Sequence, residues 1–131
     1  MKKFLAYAFL LAGGLFLLPS FSSEPAAPVE VAAFKLKYPK KVDALIKDKC
    51  YGCHSPNARF DKSKNALNWD NLTSMSGSDL AHELGEIQEV VEKGSMPPAQ
   101  FLQNNPDKKL TDAEAMLLKK WAMKAAKKAA K

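Results

Sequence analysis

The stretch Cys50-Tyr51-Gly52-Cys53-His54 decides how this sequence is read. Two thiols separated by two residues can each add across a vinyl group of one haem. A histidine directly after the second thiol is then held beneath the iron as an axial ligand. Other uses of these residues fit less well. A tetrahedral zinc site needs two further ligands, and the chain has no second cysteine pair, only His82 to add to His54. A redox dithiol sits at the start of a helix, whereas this pair follows the end of an amphipathic one. The single disulfide that two cysteines allow would leave His54 without a role.

Working back toward the N-terminus, the helix that delivers the pair is predicted to begin near Pro39, since proline suits a first turn whose N–H would be unpaired anyway. Val42, Leu45, Ile46 and Cys50 recur on one helical face, and Lys47 and Lys49 complement the dipole in the last turn. Gly52 is the expected terminator. Residues 23–37 hold Pro25, Pro28 and several alanines and read as a linker, with a short extended piece at 29–36 as the only structure expected. Before it, Met1-Lys2-Lys3, the apolar run Phe4 to Leu18 and the small residues Ser20 and Ser22 read as an export signal over 1–22. The run of about fifteen residues falls short of the roughly twenty that cross a bilayer. Cleavage after Ser22 is therefore expected, with an uncleaved membrane anchor as the alternative, and either outcome places the protein in the periplasm.

The 131 residues, 47% hydrophobic and 26% charged, suit one globular domain, here residues 38–131. A domain of that size has a small core, to which a cofactor can contribute. The net charge of +6 falls by two once Lys2 and Lys3 are removed. No aromatic residues alternate with the late lysines as a stacking platform would require, so they read as a solvated helix face and no nucleic-acid partner is expected.

Beyond the motif, residues 54–78 are rich in Ser, Asn, Asp and Lys and are predicted to form a long loop with one short helical turn around Trp69–Ser74. Compact domains seldom carry so much irregular chain unless it wraps something. A second helix is predicted from Asp79 to Lys93, with Leu80, Leu84, Ile87 and Val91 as its apolar stripe and Gly94 as a left-handed cap. Ser95-Met96-Pro97-Pro98 then makes a stiff loop. The last helix opens on the capping box Thr111-Asp112-Ala113-Glu114 and turns Leu117, Leu118, Trp121, Ala122 and Ala125 inward. No stretch alternates as a strand would.

Five residues are candidates for the second face of the iron: Met75, Met96, Met116, Met123 and His82. Met116 and Met123 lie within the last helix as filler, Met75 sits in an unconstrained serine-rich loop, and His82 faces away from the stripe of its helix. Met96 precedes Pro97, which holds it extended in a loop stiffened by two prolines. It is the expected sixth ligand, with an open position or His82 as alternatives. Arg59 and Trp69 are candidate partners for the propionates, the first by a bidentate guanidinium and the second through its indole N–H. A surface arginine and a core anchor are the plainer readings of the two.

Taken together, Cys50 through Ser55, Arg59, Asn68-Trp69, the acidic second helix, Gly94 through Pro98 and Leu110 through Glu114 resemble the bacterial haem-binding domain family, exported single-haem proteins similar to class I cytochromes c. The resemblance runs from about Tyr38 to Ala125 and implies ligation by His54 and Met96. Where the family usually carries an aromatic Trp-Pro-Trp-Tyr-like stretch after the arginine, this sequence has Phe60-Asp61-Lys62-Ser63. The expected fold is all-α and cytochrome c-like, with three to five helices and long loops wrapped around one haem. The first and last helices should cross, Leu45 and Ile46 meeting Trp121 or Leu117. The expected function is one-electron transfer, without catalysis, by a monomer that meets exported or membrane-bound redox proteins through Lys49, Lys62 and Lys64. A peroxidase would need an open iron and a distal acid/base pair, and a sensor a displaceable ligand.

Overall fold

The computed structural model describes residues 34–131. The expected export segment 1–22 and most of the expected linker lie outside them. The described residues are helical: α1 (Lys40–Lys49), α2 (Asp61–Ala66), α3 (Gly77–Glu92), α4 (Ala99–Asn104) and α5 (Asp112–Ala129), with 3-10 turns at Asn71–Thr73 and Pro106–Lys108. No strand occurs among them. None of these helices is long and apolar enough to cross a membrane.

The long helices follow from their sequence signals. In α1, Val42, Leu45 and Ile46 are buried and Pro39 stands at the N-cap. The helix closes at Lys49, short of Gly52, because the Cys50 and Tyr51 amides both return to the Ile46 carbonyl, each at 2.9 Å. In α3 the predicted stripe Leu80, Leu84, Ile87 and Val91 is buried. Gly94, at φ +63°, closes that helix: its amide donates to the Val91 carbonyl (3.2 Å) and the Ser95 amide to that of Val90 (3.0 Å). This pair of bonds is a Schellman cap, whose left-handed residue is usually glycine. The predicted capping box opens α5, the Thr111 hydroxyl accepting from the Glu114 amide while the Glu114 carboxylate accepts from the Thr111 amide.

α5 packs chiefly on α3 and meets α1, its expected partner, over a smaller contact. α3 presents a sixteen-residue stripe, whereas α1 has ten residues and three buried side chains. Leu45, Ile46 and Trp121 nevertheless share one core, which Leu117 borders. Two short helices were absent from the sequence reading. α2 lies inside the expected loop 54–78, and α4 follows the prolines; neither buries a side chain, so neither leaves a hydrophobic period to detect. The end of the expected linker is also packed. Leu36 is 5% exposed and the Lys37 carbonyl accepts from Trp121 Nε1 at 3.1 Å.

Candidate haem site

Cys50, Cys53 and His54 sit on the turn that follows α1, where the Cys53 and His54 amides both bond the Cys50 carbonyl. Both cysteines are free thiols. Burial, then the nearby Asp48 and Cys53, pushes the Cys50 thiol up to about 11. A thiol so disposed is a poor source of the thiolate that disulfide exchange needs. No group of three or more His, Cys, Asp or Glu side chains is placed to hold a metal ion among the described residues. The redox-dithiol and zinc readings therefore lack support.

His54 is held on one side only. Its Nδ1 lies 2.9 Å from the Ser63 carbonyl and 3.3 Å from the Leu67 carbonyl. Both partners can only accept, so Nδ1 carries the hydrogen and Nε2 keeps its lone pair for a metal. A fixed tautomer of this kind is how histidine ligands are usually oriented. The short α2 supplies the first carbonyl, and Leu67, its C-cap, supplies the second. Sequence reasoning missed both, since a main-chain carbonyl has no residue signature.

The ring of His54 borders an apolar cleft in two parts, of about 240 and about 50 Å³. Cys50, His54, Val91, Met96 and Leu118 line both parts. Cys53 and Phe101 complete one end, and Leu67, Trp69 and Ile87 the other. Met96 thus faces the same cleft as His54. It is 37% exposed, and behind it lies a further cavity of about 400 Å³ that it also lines. Trp69 is 4% exposed and packs near Tyr38 and Trp121, with ring centroids 6.4 and 6.3 Å away. Its amide donates to the His54 carbonyl at 3.1 Å. Its Nε1 is the one buried side-chain polar atom without a partner among the described residues. An unpaired buried donor costs about 1–3 kcal/mol. Trp69 also lines the larger part of the cleft. The residues present therefore fit a haem: paired thiols, an imidazole with a free Nε2, a thioether on the same cleft, apolar walls and, in the tryptophan beside them, an unpaired buried donor.

Other sequence candidates fall elsewhere. Arg59 is exposed, its guanidinium 5.6 Å from the Phe60 ring centroid, and lines neither part of the cleft. His82 is exposed on α3. Met116 and Met123 are exposed, and Met75 packs against the core. Glu83 and Glu86 line the cleft without having been singled out in the sequence. Lys49, expected to steer a partner, instead bonds the Asp107 carbonyl, and its side chain is 11% exposed.

Residues 60–124 match the family model described as "Haem-binding domain". That match supports a haem-binding domain over residues 60–124. The matched segment contains Trp69 and Met96, and the Cys-x-x-Cys-His motif lies outside it, separated from its start by five residues. No curated protein and no solved structure matches the chain.

Proposed function

We propose that this haem-binding domain is an exported monohaem c-type cytochrome that carries single electrons between exported or membrane-bound redox proteins. In this reading Cys50 and Cys53 hold the haem through thioethers, each thiol adding its S–H across one vinyl C=C. His54 Nε2 and Met96 Sδ would hold the haem iron. The bound haem supplies the one-electron couple. The chain supplies the rest. The Ser63 and Leu67 carbonyls orient His54, the Trp69 N–H answers a propionate, and Val91 and Leu118 keep water from the iron. Residues 1–22 direct the chain to the periplasm and are either cleaved or kept as a tether.

The observation that carries this reading is that a tautomer-fixed His54 and Met96 line one apolar cleft, beside two adjacent thiols. One test covers attachment and ligation. Protein matured by a c-type haem apparatus should gain the mass of one haem that acid-acetone cannot extract, and its ferric form should show the weak far-red sulfur-to-iron band. Haem that extracts freely would remove the covalent assignment. A second reading, a sensor or peroxidase-like protein with a displaceable sixth ligand, draws support from the exposure of Met96 and the cavity behind it. Ready binding of carbon monoxide to the reduced unmodified protein would favour it.

A further inference from the structure

A groove of about 900 Å³ lies between the segment entering α1 and α5, and among the described residues it shares no lining residue with the haem cleft. Its floor is apolar, built from Phe34, Val42, Leu117, Trp121 and Ala125. Its rims are cationic. Lys35, Lys37, Lys40 and Lys41 line one side, and Lys120, Lys124 and Lys128 the other. Among the described residues no carboxylate lines it. Among the described residues none of these lysines joins an ion pair, whereas Lys47, Lys49, Lys64, Lys93, Lys108 and Lys119 all do. Lys120, Lys124 and Lys128 also recur four residues apart on one helix, where like charges repel. That arrangement weakens the isolated helix and gains no ion pair among the described residues.

We propose that this groove is the surface by which the domain lies on an anionic phospholipid bilayer. Lysine stems cover apolar surface while their ammonium groups reach outward to head-group level, so phosphates meet the rims and the first acyl methylenes meet the floor. Where residues 1–22 are kept as a tether, continuity of the chain points the same way. Phe34, on the floor, follows the apolar run Phe4 to Leu18 by only fifteen intervening residues. Fully extended, such a stretch spans at most roughly 50 Å. The separation from the haem cleft also favours a bilayer over a redox protein. A membrane held here leaves the cleft free to exchange electrons, whereas a redox partner seated here would meet no residue of the cleft.

The test is co-sedimentation of the full-length holoprotein with vesicles of phosphatidylcholine alone and of an equal mixture with phosphatidylglycerol. The neutral vesicles subtract whatever residues 4–18 contribute. At low salt the anionic lipid should raise partition at least roughly tenfold, and added salt should erase the gain. K120E/K124E/K128E should abolish the gain, and the milder K120Q/K124Q/K128Q should reduce it, with unchanged haem absorption and circular dichroism. The charge-matched variant K62E/K93E/K109E, outside the groove, should keep most of it. Equal losses in the groove and control variants would reduce the effect to net charge and overturn the proposal. So would an anionic gain that survives reversal of the groove. Groove-dependent binding of soluble polyglutamate without any lipid gain would assign the surface to an acidic protein and overturn it as well.

Discussion

The two sides of the haem cleft are built in opposite ways. On the His54 side, two carbonyls fix the imidazole, the Trp69 amide bonds the His54 carbonyl, and Trp69 is buried beside Tyr38 and Trp121. On the Met96 side, a thioether stands on a short proline loop, over a third exposed, with a cavity behind it. What aims Met96 is the cap at the end of α3, where Gly94 and Ser95 turn the chain. His54 is positioned by tertiary hydrogen bonds and packing, Met96 by local backbone geometry. On the proposed ligation, exchange at the metal should therefore occur on the Met96 side.

The largest effect that would test this contrast comes from the rigid side. His54→Ala should prevent holoprotein from accumulating, measured as covalent haem per polypeptide, because no other described residue of the cleft offers an imidazole. Met96→Ala should keep the haem and open the iron, so that the reduced protein binds carbon monoxide. Met96→His should keep six-coordination and lower the reduction potential measurably, since a thioether favours ferrous iron more than a second imidazole does. If Met96→Ala loses haem as completely as His54→Ala, the two sides are equally structural and the contrast fails.

Smaller effects sharpen it. Gly94→Ala places a side chain at φ +63°, although a Cβ there would meet nothing within 4 Å, so its cost is conformational. A loss of about 1–2 kcal/mol is expected in denaturant melts, together with a weakened far-red band as Met96 shifts. Trp69→Phe keeps a ring in the core but removes the N–H. Its cost should be larger in holoprotein than in apoprotein by about 1 kcal/mol, because only the holoprotein offers that donor a propionate. Equal costs in the two forms would make Trp69 a packing residue alone. His82→Ala should leave potential, carbon monoxide response and stability unchanged, in keeping with its exposure on α3.

How much of this was legible in the sequence depended on how each element is stabilised. α1, α3 and α5 carry apolar stripes, caps or both, and their presence follows from periodicity. α2 and α4 bury no side chain and so have no period to read. The stretch Phe60-Asp61-Lys62-Ser63, which replaces the family's aromatic segment, proves to be the start of α2. Phe60 is left 62% exposed, and Asp61 pairs with Lys64 at 2.8 Å. Arg59 and Lys49 show the reverse difficulty. Both types suit anion contacts or steering, but their chemistry says nothing about which way the fold turns them. Arg59 points to the surface and Lys49 is tied to Asp107.

By itself the sequence determined the donor chemistry. Adjacent thiols, imidazole and thioether are side-chain properties, and the spacing of Cys50, Cys53 and His54 needs only a helix end to make it useful. The capping box and Gly94 likewise act within a few residues, where local geometry suffices. Tertiary structure alone decided which side-chain nitrogen of His54 is free, because that depends on carbonyls nine and thirteen residues away. It also decided that the Trp69 donor is buried without a partner, and that lysines from two distant segments share one apolar groove. Every residue carries a carbonyl, and many surfaces carry lysines. Only the packing of α2 behind the motif, and of α5 beside the segment entering α1, turns those common groups into a site.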